Sequence, residues 1–238
     1  MQEDRQPDAR GAFQSETLEV FVLDVRFQFM KNFNYLVVDK ARRDALIVDP
    51  AWEIDKIDAA LLEARAVLRG VLITHSHSDH INLARTVSER HGCPIFMSKA
   101  EIAFSGFTAA DLVPIDAAPR YIGPIRVEPI FSPGHTPGCL CYLIEDNLFT
   151  GDVLFAEGCG MCPDLESAKT MYFSLQELRR RTSERTRVFP GHSYGRSPGQ
   201  TMAQVMRDNM YLHFKDEHSF AAFRMRRGQS REKLFRFS

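Results

Sequence analysis

The sequence predicts an α+β protein built as an αβ/βα four-layer sandwich, with the sheets inside and helices outside, rather than a doubly wound parallel sheet. Three observations carry that expectation. Short runs rich in Val, Leu, Ile and aromatics cluster in residues 18–48 and again in 125–150. Each β-rich stretch leads into segments with helical periodicity. With 238 residues, 44% of them apolar, the chain can bury a substantial core and fits one large domain better than two small ones.

The elements follow in order. Residues 1–16 are polar, with almost no apolar periodicity, and read as a disordered leader before a single domain over 17–238. Leu18 to Asp24, Tyr35 to Asp39 and Ala45 to Val48, broken by Lys40-Ala-Arg-Arg-Asp44, read as an antiparallel meander that ends at Asp49-Pro50. Ile54, Ile57 and Leu61 recur at helical spacing and predict an amphipathic helix over 53–66. A strand follows from Leu68 to Thr74, then a helix from Leu83 to His91, a strand from Pro94 to Met97 and a short helix from Ala100 to Phe107. Residues 109–119 hold two prolines without clear periodicity and read as a connecting loop. The second half repeats the rhythm with strands at 125–131, 140–144 and 148–150 and a helix marked by Ala168, Met171, Leu175 and Leu178. Arg187-Val188-Phe189 forms a last strand leading to Pro190-Gly191-His192. Met202, Val205, Met206 and Met210 mark a helix whose methionines read as core.

Composition narrows the function classes. Lysines and arginines number 30 against 31 acids, so a net charge of -1 gives no global pull toward nucleic acid or membrane. No apolar segment has the length of a bilayer-spanning helix, and the first residues are too polar for a secretory signal, so a cytoplasmic protein is expected. Five cysteines are an odd set without the density of a disulfide scaffold, in keeping with a reducing compartment. Cys159-Gly-Met-Cys162 has thioredoxin-like spacing but lacks the βαβ opening of a redox motif, which leaves a structural or substrate-loop role.

Thr74-His75-Ser76-His77-Ser78-Asp79-His80 packs four potential metal ligands into six residues after the apolar run Val71-Leu72-Ile73. In an extended segment His75 and His77 share a face, while the adjacent Asp79 and His80 diverge from them. One ion cannot comfortably take all four, which points to two neighbouring metals. Three more candidates lie at predicted strand ends beside glycine: His135 in Ser132-Pro-Gly-His-Thr-Pro-Gly138, Asp152 in Thr150-Gly-Asp152, and His192 in Phe189-Pro-Gly-His192.

This ordered set closely resembles the metallo-β-lactamase superfamily, specifically its glyoxalase II-like branch, over about residues 18–195. The resemblance implies the fold of that family and two Zn2+ ions. His75, His77 and His135 would hold the first; Asp79, His80 and His192 would hold the second, with Asp152 bridging. Such ions acidify a shared water for attack on a carbonyl, with Asp79 orienting the nucleophile or moving its proton. A thiolate leaving group, with a thiol pKa of ~8.5, demands no dedicated general acid.

For the substrate, Gly158-Cys-Gly-Met-Cys-Pro163, Pro190-Gly-His-Ser-Tyr-Gly195 and Phe223-Arg-Met-Arg-Arg227 are similar to the zinc hydrolases encoded with trans-acyltransferase polyketide synthases. That implies hydrolysis of acyl thioesters on the phosphopantetheine of an acyl carrier protein. Met161, Cys162 and Pro163 stand where glutathione-using members carry basic and aromatic residues, and Tyr194 matches a family tyrosine near the thiol-bearing part of the substrate. The basic run 224–238, including Arg226 and Arg227, would face an acidic carrier. Two alternatives remain within the resemblance: a hydroxyacylglutathione hydrolase, and a persulfide dioxygenase holding one Fe2+ with His75, His135 and Asp152. The latter family keeps an arginine where this chain has Met161. A non-enzymatic binding protein would show lost ligands, and all seven positions are filled. Nothing in the sequence sets the oligomeric state.

Overall fold

The computed structural model describes residues 7, 8 and 11–226. Two sheets form its centre. The first has seven strands in chain order: β1 (Ala12–Gln14), β2 (Leu18–Phe27), β3 (Met30–Asp39), β4 (Asp44–Val48), β5 (Val67–Leu72), β6 (Ile95–Ser98) and β7 (Leu112–Ile115). Strands β1 to β4 pair antiparallel, and β4 to β7 pair parallel through helical crossovers. The crossovers are α1 (Ile54–Ala64), then α2 (Ser78–Ile81) with α3 (Ala84–His91), then α4 (Lys99–Ser105). The second sheet has six strands in the order β13-β12-β11-β10-β9-β8. These are β8 (Arg120–Ile122), β9 (Ile125–Phe131), β10 (Leu140–Ile144), β11 (Asn147–Gly151), β12 (Arg187–Pro190) and β13 (Gln200–Thr201). Its one parallel pair, β11 with β12, is bridged by α5 (Leu165–Arg181); α6 (Met202–Asp208), a 3-10 turn at Met210–Leu212 and α7 (Glu217–Arg224) follow β13.

Three apolar layers separate the four structural ones, because the strands alternate. In β4, Ala45 and Ile47 face α1, where they meet Ile57, Leu61 and Ala64. Leu46 and Val48 face the other sheet, where they join Tyr142, Phe149 and Phe189. All five residues of β4 are therefore buried, as expected of a strand covered on both faces. The second sheet buries Leu148 and Val188 under Met171, Leu175 and Leu178 of α5 and Phe220 of α7. The expected four-layer sandwich is the observed one.

The sheets are also tied by hydrogen bonds where their strands end. Tyr35 of β3 donates its hydroxyl to the carbonyl of Pro190 in the opposite sheet, and Tyr142 of β10 donates to the carbonyl of Ile73 at 2.7 Å. The amide of Leu140 donates to the Thr74 carbonyl at 2.9 Å. Both tyrosines are fully buried, so burial pushes their hydroxyls well above the ordinary value and keeps them protonated donors.

Several expectations from sequence are corrected. The irregular leader does not run to residue 16, because Ala12–Gln14 pairs with β2 and Phe13 packs edge-on against Phe189, ring centroids 5.3 Å apart. The 109–119 loop contains β7, which extends the parallel edge despite Pro114. Helix α7 covers Glu217–Arg224, a stretch to which the sequence pattern assigns no element. Met202 is core, whereas Met210 lies past the end of α6 and is 53% exposed. All five cysteines are free and buried.

Phe13→Ala tests the first correction. We expect a loss of about 3 kcal/mol in unfolding free energy, as for a core phenylalanine. A disordered leader would leave chemical denaturation within about 0.5 kcal/mol.

Candidate metal centre

The ligand-rich motif begins where β5 stops. Thr74 is held by the carboxylate of Asp49, at the end of neighbouring β4, through its amide at 2.8 Å and its hydroxyl at 2.6 Å. The motif then runs extended to His77 and turns into α2, a single helical turn. That turn sends Asp79 and His80 away from the His75–His77 face.

Each imidazole but one is fixed by its Nδ1. His75 Nδ1 lies 3.0 Å from Thr74 Oγ1, whose proton goes to Asp49, so His75 is the donor and its Nε2 keeps a free lone pair. His80 Nδ1 meets Asp49 Oδ2 at 3.0 Å. His135 Nδ1 meets the Met161 carbonyl, and His192 Nδ1 the Lys31 carbonyl, each at 2.8 Å. Partners of this kind set both tautomer and ring direction in metal sites. His77 alone presents Nδ1 inward, 3.1 Å from His75 Nε2 and 2.9 Å from His135 Nε2.

Two ligand groups result. The nitrogens of His75, His77 and His135 converge, and so do the side chains of Asp79, His80 and His192, each set having ligand atoms within 4.8 Å of one another. A tetrahedral zinc with bonds of about 2.0–2.1 Å spaces its nitrogens about 3.3 Å apart, close to the first set. Asp152 stands between the groups. Its Oδ1 is 3.4 Å from His80 Nε2 and 3.5 Å from His192 Nε2, while its Oδ2 is 3.6 Å from His135 Nε2. Asp49, His75 and His80 also lie close enough to form a set, but the Asp49 carboxylate is already occupied by Thr74 and His80.

The donor set fits a cation. His80 Nε2 and Asp152 Oδ1 are buried, make no hydrogen bond and face one another at 3.4 Å, a gap that a cation bound to both would fill. Charge points the same way. Burial, then the neighbouring His80 and His135, hold His75 well below the usual histidine value, which is the neutral, ligating form. Burial acts to raise Asp152 and Asp79, but His192 and His80 outweigh it and keep both carboxyls ionised. Burial likewise acts to lower His80 and His192, but Asp152 and Asp79 overcome it and hold both above the ordinary value. Protons on those two imidazoles balance the carboxylates, and a divalent cation would replace them.

All seven residues expected as ligands are thus brought together. Tyr194 is close by, its ring 5.2 Å from that of Phe155, and burial, then Asp152, raises its hydroxyl well above the ordinary value. Met161 is 39% exposed, but Cys162 turns into the core beneath α5 and α7, so only the first can present its side chain to a substrate. Arg226 is exposed, its guanidinium 3.6 Å from the Phe223 ring. Arg227 lies outside the described residues. Arg224, counted with the basic run, is buried and donates Nε to the Gly160 carbonyl at 2.8 Å; it anchors the 158–163 loop instead of facing a partner.

Sequence reasoning missed two supports. From sequence Asp49 marks only the end of a strand, and its place beside the motif follows from the pairing of β4 with β5. Asn32 donates Nδ2 to the carbonyl of Asp79 at 2.9 Å and to its carboxylate at 3.2 Å, and accepts from Trp52 Nε1 at 3.0 Å. The Met161 and Lys31 carbonyls are backbone groups and leave no mark in the sequence.

The sequence model of the metallo-beta-lactamase superfamily matches residues 31–192, which span every one of these ligands. The chain belongs to the metallo-β-lactamase superfamily. This superfamily member is 40% identical over 93% of its length to the probable polyketide biosynthesis zinc-dependent hydrolase BaeB of Bacillus velezensis, covering 98% of that protein. It is 38% identical over 90% of its length to PksB of Bacillus subtilis, named in the same terms, covering 96% of it. Relatives named hydroxyacylglutathione hydrolase and persulfide dioxygenase also occur, at lower identity and coverage. Among solved structures, a metallo-beta-lactamase from Staphylococcus aureus superposes with a TM-score of 0.79 at 21% identity, over 91% of this chain and 69% of that one, a likeness of fold.

The charge balance makes a prediction. Because His80 and His192 hold protons more tightly than a free histidine, protons compete with the metal at and above the ordinary value of 6.5. Zinc affinity should therefore rise with pH from about 6 to 8, with net proton release measurable by calorimetry in buffers of different ionisation enthalpy. A flat profile would contradict this account of the charges.

Proposed function

We propose that this protein is a dinuclear zinc hydrolase that cleaves thioesters, taking acyl groups from the phosphopantetheine of acyl carrier proteins in polyketide biosynthesis. The observation that carries it is the Asp152 carboxylate set between two complete ligand groups. The zinc-dependent polyketide hydrolases that match the chain over nine-tenths of its length support the substrate class.

Divalent ions, if held by the two groups, would supply a polarised carbonyl oxygen and a water acidic enough to act as nucleophile near neutral pH. The chain's residues do the rest. His75, His77 and His135 would hold one ion and Asp79, His80 and His192 the other, and the Asp152 carboxylate lies between the two groups. Asp79 is the catalytic carboxylate. It stays ionised against burial, and Asn32 clamps its backbone and side chain, so it can orient the attacking water by accepting a hydrogen bond from it. Tyr194 and Met161 flank the site on the substrate side. The thiolate departs without a dedicated acid, in keeping with a thiol pKa of ~8.5. Arg226 and Arg227 are assigned to the carrier-protein surface by charge complementarity.

Purified protein should contain two zinc ions per chain by elemental analysis, whereas one iron with oxygen consumption would favour the persulfide dioxygenase alternative. Acetyl-loaded carrier protein should turn over faster than an acyl-glutathione. Preference for the glutathione ester would assign the protein to the hydroxyacylglutathione hydrolases instead. Reversing charge with Arg226→Glu and Arg227→Glu should raise KM for the carrier substrate several-fold more than for a small thioester. An unchanged ratio would remove both arginines from the account.

A further inference from the structure

The first ligand group draws on both sheets. His75 and His77 leave the end of β5, whereas His135 lies between β9 and β10. His135 Nε2 nevertheless sits 2.9 Å from His77 Nδ1 across the two loops. One buried side chain joins the loops.

Glu101, in the first turn of α4, is 0% exposed. Its Oε1 accepts from the amide of Ser76 at 2.8 Å and from the Ser76 hydroxyl at 2.5 Å, and Ser76 is the residue between His75 and His77. Its Oε2 accepts from the hydroxyl of Thr136, the residue after His135, at 2.6 Å and from the amide of Gly138 at 2.9 Å. The same helix start holds the second loop again, since Ser98 Oγ accepts from the Glu101 amide at 2.9 Å and donates to the Gly138 carbonyl at 2.6 Å. A Cβ at Gly138 would overlap the Glu101 backbone, so that loop lies directly on the turn. In sequence, Ser98-Lys-Ala-Glu101 has the spacing of a reciprocal helix cap, but here the carboxylate reaches outward to both loops.

We propose that Glu101 is a positioning residue for the metal centre, setting His75 and His77 against His135 by gripping both loops with one carboxylate. It rests on the metal-binding reading of the site given above. The chemistry demands a carboxylate in particular. Four donors converge on it, and two are backbone N–H groups that cannot become acceptors. An isosteric amide would turn one arm into a donor facing either Ser76 N–H or Gly138 N–H. One loop would then lose its buried partner and with it the defined place of its histidines.

The test is zinc affinity of Glu101→Gln, measured by competition with a chromophoric chelator, together with the visible absorption of the cobalt(II)-loaded protein. We expect the zinc dissociation constant to rise about 10- to 100-fold, the range for partners that orient metal ligands, with an altered cobalt spectrum. Thr136→Val, which deletes a single hydroxyl donor, should weaken zinc in the same direction by a smaller factor. It decides the question should Glu101→Gln fail to fold. Zinc binding within about twofold of the unsubstituted protein and an unaltered cobalt spectrum would overturn the proposal, whatever the stability of the metal-free variant, because a merely structural role would move stability alone. If the unsubstituted protein binds no zinc, the metal-centre reading falls and this proposal with it. Tight binding by parent and variants alike overturns this proposal alone.

Discussion

The rest of the structure depends on keeping imidazoles and carboxylates together out of water. His75, His80, His135 and His192 are all buried, and Asp152 among them stays ionised because the neighbouring histidines outweigh the cost of desolvating it. Such a cluster cannot be left to flexible side chains, since each misdirected lone pair would be a buried polar atom without a partner. Each of these four rings is accordingly aimed by something behind it: Thr74 for His75, Asp49 for His80, and the carbonyls of Met161 and Lys31 for His135 and His192.

The sandwich supplies this rigidity where it is needed. Strands from both sheets end at the same place, and the cross-sheet bonds of Tyr35 and Tyr142 fall at Pro190 and Ile73, each within two residues of a ligand. Close approach is also built in. A Cβ at Gly191 would come within 2.5 Å of the His80 ring and 2.7 Å of the Asp152 carboxylate, so the residue before His192 has room for nothing larger than glycine. The tethers hold the loops at a spacing suited to small cations, and the glycine lets them close.

Away from the ligands the surface divides into support and access. Arg224 and Cys162 face inward and hold the 158–163 loop, whose Met161 carbonyl in turn steers His135. Met161 and Arg226 face outward, and with Tyr194 they carry the proposed substrate contacts. Neighbours in sequence therefore serve different ends. Alternation of side-chain direction along a strand or turn sends one to the core and the next to solvent.

The sequence by itself determined the four-layer fold and all seven candidate ligands, because hydrophobic period and the density of His and Asp at strand ends are local properties of the chain. It also misjudged what depends on distant partners. β1 is a strand because Phe13 finds Phe189, and β7 is one because β6 offers an edge to pair with. Asp49, Asn32 and Glu101 are ordinary residues in their own segments and become supports only when separate loops converge on them. Tertiary structure alone decided those roles, since a hydrogen bond between residues far apart in sequence has no signature in either segment until folding brings donor and acceptor within 3 Å or so of each other.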